Sequence, residues 1–340
     1  MNIVVLAGGY SSEADVSRVS GMNINKALIN KGYNSILIDL SKDINDDEVD
    51  TIFDIKKNYE YKIDEIPCNI KKKKTFFAKN TLEVCKKADL VFIALHGGEG
   101  ENGKLQALFD LLNIKYTGSN YLGSMISMNK DIAKALVLNN NLKTAKFKTY
   151  RNKNIKIKTI EKNHEYPLVI KSAIGGSSIN VYLIHNQKEL KKAINKLKKL
   201  KDLIIVEDLI IGREFSVGII NKKALPIIEI KPKNGFYDYK NKYQKGLTDE
   251  ICPANLSYEE EIYLKALALK IFKILKIDSY ARLDFIRKDK DDFYFLEANT
   301  LPGMTDISLL PREAKALNID FDDLCEIIVD LALDKKQNIN

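Results

Sequence analysis

Nowhere in the 340 residues does an apolar run approach the roughly 18 to 20 residues needed to span a bilayer. A helical membrane protein is therefore excluded as an expectation. The opening run Asn2-Ile3-Val4-Val5-Leu6-Ala7 lacks a basic flank and leads straight into Gly8-Gly9, which predicts a buried strand and not an export signal. Cysteine is sparse: Cys68, Cys85, Cys252 and Cys325 lie far apart and share no metal-ligand spacing with the three histidines. Free thiols in a reducing cytoplasm are expected. Arginine is scarce within a basic balance of 54 Lys+Arg against 46 Asp+Glu, a net charge of +8. The lysines gather in helical or loop stretches such as 71–74 and 191–201, and no aromatic-interleaved basic patch accompanies them. Solvated faces account for this charge, so no nucleic-acid partner is expected.

What the chain does have is an ordinary globular composition, 45% hydrophobic and 29% charged, in a length that suits two or three domains. We divide it at 1–120, 121–207 and 208–340. Residues 1–120 alternate strand and helix patterns, with strands at 3–7, 35–40 and 90–95 and a helix near 16–31. That is an open α/β domain of parallel strands, whose ligands sit beyond the strands' carboxyl ends. Two loops fall there. In the first, Gly8 to Ser17, Glu13 and Asp15 would repel phosphate; a carboxylate here either meets an ammonium group or caps the next helix. The second, His96-Gly97-Gly98-Glu99-Gly100-Glu101-Asn102-Gly103-Lys104, mimics a P-loop and a dinucleotide fingerprint. Leu105 stands where the P-loop needs Ser or Thr, and Glu99 and Glu101 would face phosphates, so neither fits.

In 121–207, residues 122–137 read as one helix. Further on, an apolar strand ends in Lys171, and Ser172-Ala173-Ile174-Gly175-Gly176-Ser177-Ser178-Ile179-Asn180 leads to another strand. Such a loop is either a plain hairpin turn or a flap whose N–H and hydroxyl groups cover a triphosphate, with Lys171 adding a point charge. Another apolar strand ends at Glu207. In 208–340, residues 231–254 carry no apolar period; a stretch of this length is more often functional than idle.

The decisive stretch is 280–308. Two strand patterns flank a hairpin loop, and residues at i and i+2 of a strand share a face. Arg282 thus points with Asp284, and Glu297 with Asn299. Two carboxylates and an amide oxygen suit a hard divalent cation. The turn after Asn299 offers backbone N–H groups that can stabilise an oxyanion.

RLDF followed by LEANTLPGM resembles the metal and oxyanion region of the ATP-grasp superfamily, and within it the D-alanine–D-alanine ligase family. The loop from His96 to Gly103, the segment Met128-Asn129-Lys130 and the flap from Lys171 are similar to that family in order and spacing. The resemblance implies a mixed α/β and α+β fold of three domains: a Rossmann-like N-terminal domain, with ATP held between the central and C-terminal domains. It implies ligation of two D-alanines through a D-alanyl phosphate, for peptidoglycan precursor synthesis. Small-molecule substrates, D-alanine and ATP, would be the partners, with a homodimer and a cytoplasmic location expected.

Carried over residue by residue, Glu13 would bind the amine of the first D-alanine, and His96 would lie near the substrate. Lys130, Lys171, Gly176, Ser177, Ser178 and Lys242 would hold the phosphates, Glu207 and Ile210 the base, and Glu214 the ribose. Asp284, Glu297 and Asn299 would bind two Mg²⁺ (or Mn²⁺) ions. Arg282 and the Gly303 N–H would stabilise the oxyanion, and Ser308 the second carboxylate. Tyr243, at the end of a loop resembling the family's mobile one, argues for an amine as second nucleophile; with Glu13 and Ser177 it would latch the loops. Ser172 and Asn180 depart from the family pattern, and Asn tolerates positive φ. The alternatives are another ATP-grasp carboxylate–amine ligase, such as one forming D-alanyl-D-serine, or a non-catalytic nucleotide-binding relative.

Overall fold

The run Ile3-Val4-Val5-Leu6-Ala7 is apolar on both faces because the strand is covered on both. It forms β1 (Asn2–Ala7), central in a parallel sheet between β2 (Asn34–Asp39) and β3 (Leu90–Ile93). The computed structural model describes residues 1–54, 75–151, 155–176, 180–198, 203–233, 248–290, 292–305 and 307–334. Helices α1 (Ala14–Asn30), α2 (Thr81–Lys87) and α3 (Lys104–Leu111) complete this first unit. Both candidate loops leave the carboxyl ends of its strands, after β1 and after β3.

The expected helix over 122–137 is two helices, α4 (Tyr121–Met128) and α5 (Lys130–Asn139). The break combines a local cap with a long-range contact. Asn129 takes an extended conformation and its side chain accepts from the N–H groups of Asp131 and Ile132, capping α5. Its neighbour's N–H, on Lys130, is donated to Ala173 O at 2.9 Å.

A four-stranded antiparallel sheet follows, ordered β4 (Phe147–Arg151), β7 (Leu203–Asp208), β5 (Leu168–Ser172), β6 (Val181–Ile184), with α6 (Ile157–Glu161) and α7 (Gln187–Leu197). On α7 Leu190, Ala193, Ile194 and Leu197 are buried at helical spacing, while Lys191, Lys192 and Lys196 are exposed. These lysines of α7 form the solvated face that the sequence suggested.

The last sheet joins β11 (Thr248–Ile251), β10 (Ile228–Pro232), β8 (Arg213–Ile220), β12 (Tyr280–Arg287) and β13 (Phe293–Asn299) in that order, with β9 (Lys223–Ala224) on β8. Helix α8 (Tyr258–Ile274) covers it, starting at a capping box between Ser257 and Glu260. Two further helices, α9 (Leu309–Lys315) and α10 (Phe321–Leu333), close the fold. Leu324, Cys325, Ile328 and Val329 of α10 pack into the core built around β1. No described helix is long and apolar enough to cross a membrane.

Candidate active site

Strands β12 and β13 pair antiparallel with Arg282 opposite Asn299 and Asp284 opposite Glu297. Directly opposed residues of such a pair share a face, so all four side chains meet, as the strand period predicted. Arg282 grips Asp284 bidentately, Nε to Oδ1 at 2.9 Å and a terminal N–H to Oδ2 at 2.8 Å. Ser216 Oγ donates to Asp284 Oδ1 at 3.1 Å and the Asn299 amide to Oδ2 at 3.4 Å. Across the cleft Lys130 Nζ lies 3.1 Å from Glu297 Oε2 and donates to Gly175 O at 2.5 Å.

Two opposed carboxylates repel unless positive charge lies between or beside them. Here Arg282 and Lys130 supply it. Among the described residues no three His, Cys, Asp or Glu side chains cluster as a metal site. The donors available are two carboxylates and one amide oxygen, the set that leaves a hard cation free to keep water and phosphate. Asp284, Glu297 and Asn299 therefore fit a divalent ion.

On one side of this face opens a cleft between the central and last sheets. Its walls include Ala145, Val169, Ile210, Ile286 and Leu296; Glu207 and Glu214 also line it, as do Lys130, Lys171 and Gly176. An apolar slot grading into cations and then carboxylates can take a purine, its ribose and a metal-bound triphosphate. Lys171 Nζ donates to Glu207 Oε1 at 2.5 Å, and Lys134 Nζ lies 2.8 Å from Oε2. Burial pushes the Glu207 carboxyl upward, but the two ammonium groups outweigh it and hold the group at about 2. So Lys171, predicted as a phosphate contact, here neutralises a glutamate.

On the other side lies a smaller cavity lined by Glu13, His96, Glu101, Arg282 and Gly303. The flap comes close: a methyl group on Gly176 would fall 2.9 Å from Glu13 Oε2. Gly303 is as tightly placed, a methyl there falling 2.8 Å from Ser308 Oγ, which accepts from the Thr305 N–H at 3.0 Å. His96 is held at both nitrogens, Nε2 by Ser20 Oγ at 3.0 Å and Nδ1 by Leu301 O at 3.0 Å. Burial lowers its pKa, against the pull of Glu13. It borders the cavity and is structurally pinned at once.

The structure thus brings Glu13, Arg282 and Gly303 to one cavity, with Ser308 against Gly303, and Lys130, Lys171, Gly176, Glu207, Ile210, Glu214, Asp284 and Glu297 to the adjoining one. Asn299 borders the smaller cavity. Ser177, Ser178, Lys242 and Tyr243 lie outside the described residues. Asn180 does take positive φ, 63°.

Two residues escaped the sequence reading as site members. Glu101 counted there only against phosphate, yet its carboxylate accepts from the Gly97 N–H at 3.0 Å, buried beside Glu13. Lys134 was unremarked, although a lysine flanked by Ala133 and Val137 on the buried stripe of α5 is a readable anomaly.

The family profile described as "D-ala D-ala ligase N-terminus" matches residues 2–119, and "D-ala D-ala ligase C-terminus" matches 136–330. The chain belongs to the D-alanine–D-alanine ligase family. A D-alanine–D-alanine ligase of Pediococcus pentosaceus is 41% identical, over 97% of each chain. One of Aquifex aeolicus is 35% identical, covering 97% of this chain and 100% of the relative. Among solved structures, the Bacillus anthracis ligase complexed with ATP superposes with a TM-score of 0.76 at 29% identity, over 98% of this chain and 97% of that one. The VanG D-Ala:D-Ser ligase of Enterococcus faecalis gives 0.75 at 27% identity, over 97% and 99%. The ATP-grasp architecture expected from the motifs is therefore the fold of this D-alanine–D-alanine ligase family member.

Proposed function

We propose that the protein joins two D-alanines into D-alanyl-D-alanine, converting ATP to ADP and phosphate, in the supply of peptidoglycan precursors. What carries the reading is the β12–β13 face, which stands between the apolar slot and the Glu13 cavity and borders both. A phosphoryl donor on one side and an acyl acceptor on the other would meet there.

Lys130 and Lys171 orient the triphosphate, with Glu207, Ile210 and Glu214 around base and ribose. Two divalent cations, Mg²⁺ or Mn²⁺, held by Asp284, Glu297 and Asn299, would neutralise phosphoryl charge when bound. The first D-alanine sits with its ammonium at Glu13 and its carboxylate toward ATP. A carboxylate oxygen attacks the γ-phosphorus, the bond to ADP breaks, and an acyl phosphate forms. The free amine of the second D-alanine, whose carboxylate Ser308 receives, then attacks the carbonyl carbon. Arg282 and the Gly303 N–H stabilise the oxyanion before phosphate leaves. Gly176 lies beside Glu13, as a flap that excludes water from the intermediate should. We place the reaction in the cytoplasm, in keeping with the free Cys85, Cys252 and Cys325, and we propose a homodimer, which light scattering in solution would test.

The test is phosphate release with mass identification of product, offering D-alanine alone and then D-serine or D-lactate as second substrate. D-alanyl-D-alanine is the expected main product. ATP binding without D-alanine-dependent phosphate release would leave a non-catalytic relative, and preference for another acceptor would replace the second substrate.

A further inference from the structure

Lys134 stands on α5 one turn after Lys130, and its side chain is 0% exposed. Its ammonium pairs with Glu207 Oε2 at 2.8 Å and donates to Thr144 Oγ1 at 2.6 Å. Thr144 in turn donates to Phe295 O of β13 at 2.7 Å. Lys171 occupies the other oxygen of Glu207. The carboxylate therefore bridges two ammonium groups that differ in surroundings: Lys171 lines the cleft, whereas Lys134 lies behind its wall, tied through Thr144 to the neighbouring sheet.

We infer that Lys134 is a positioning residue, the fixed counter-charge of Glu207 that frees Lys171 to exchange its glutamate partner for the triphosphate. The inference rests on reading the cleft as the ATP site. An arriving triphosphate competes with Glu207 for Lys171. If Lys171 were its one cation, the exchange would strand a buried carboxylate without a partner, which is strongly destabilising. With Lys134 in place, Glu207 stays ionised, in one orientation, as an acceptor at the wall of the slot. Burial works against the ammonium, and the charge of Glu207 keeps it mostly protonated at pH 7. Burial lowers Lys134 to about 8, opposed by Glu207 and aided by Lys171 and Lys130, and Lys130 is itself engaged by Glu297. The ring of Phe147 packs 5.3 Å from the Lys134 ammonium.

The consequence is a proton count. In Lys134→Met, release of Lys171 leaves Glu207 to take up a proton, so nucleotide binding becomes proton-linked. Calorimetric titration with a non-hydrolysable ATP analogue and Mg²⁺ at pH 7, in buffers of different ionisation enthalpy, reads that number directly. The expected result is up to about one more proton taken up per site than by the wild type, with affinity about tenfold weaker or worse. The double variant Lys134→Met/Glu207→Gln should return the count to the wild-type value. Equal counts in Lys134→Met and wild type, with affinity within about twofold, would overturn the inference. Should the single variant fail to fold, thermal denaturation decides: a double variant more stable than the single supports the charge balance, and one no more stable overturns it. Failure of the wild type itself to bind the analogue would instead sink the ATP reading.

Discussion

Arg282 is held by Asp284 along one edge of its guanidinium before any substrate arrives. A donor fixed in advance needs no reorganisation when charge develops, which is why such groups act on turnover more than on binding. Arg282→Ala should leave ATP affinity largely intact and lower turnover by about a hundredfold or more. Near wild-type turnover would remove Arg282 from the reaction. Glu101 makes a different prediction. Burial, and then the nearby charge of Glu13, raise its pKa from 4.5 to about 7. The folded state therefore holds this proton more tightly than the unfolded chain does. The stability that this contributes is present below pH 4.5, falls as pH rises, and is gone above about 7. Glu101→Gln, which cannot ionise, should raise the melting temperature more at pH 8 than at pH 5. An equal gain at both would mean that the carboxyl is ionised throughout.

Among the elements, those governed by nearest neighbours were readable in advance. The shared face of Arg282 with Asp284 follows from the strand period alone, and the solvated lysines of α7 from the helical one. The break at Asn129 was not readable. The apolar phase runs on from α4 into α5, and the Asn129 cap is joined by the pairing of Asn129 with Ile174 and the bond from Lys130 N–H to Ala173 O, which form only in the fold. Lys134 is a mixed case: its place on the buried stripe of α5 is readable, but its partners are not, since they come from Thr144 and β7. The cap has a measurable consequence. Asn129→Ala removes the acceptor for two N–H groups and should cost about 1 kcal/mol of stability. Because Asn129 also sets the start of α5, the KM for ATP should rise through misplacement of Lys130 while kcat changes little. A lower melting temperature with unchanged KM would confine Asn129 to a structural role.

At the scale of the molecule, the site exists only where three sheets are held together, and α10 is one of the fasteners. This helix lies more than three hundred residues along from β1, yet Leu324, Ile328 and Val329 are fully buried in the core that β1 organises. Lys31, the residue that ends α1, is also ion-paired with Asp323 and Glu326. The surface pairs contribute little by comparison with burial. Burying a side chain of this size stabilises by about 1.5 to 3 kcal/mol, so three of them supply roughly 5 to 9, comparable with the 5 to 15 kcal/mol that holds a whole domain folded. Leu324, Cys325, Ile328 and Val329 recur at helical spacing and make one apolar face; that spacing does not tell which core the face serves, because the core comes from the other end of the chain. Removing residues from 320 onward should therefore melt the first sheet before the others and abolish turnover. Hydrogen exchange resolved by peptide would show protection lost first over 2–7, 34–39 and 90–93. Protection unchanged there in the truncated chain would mean that the first unit folds without α10.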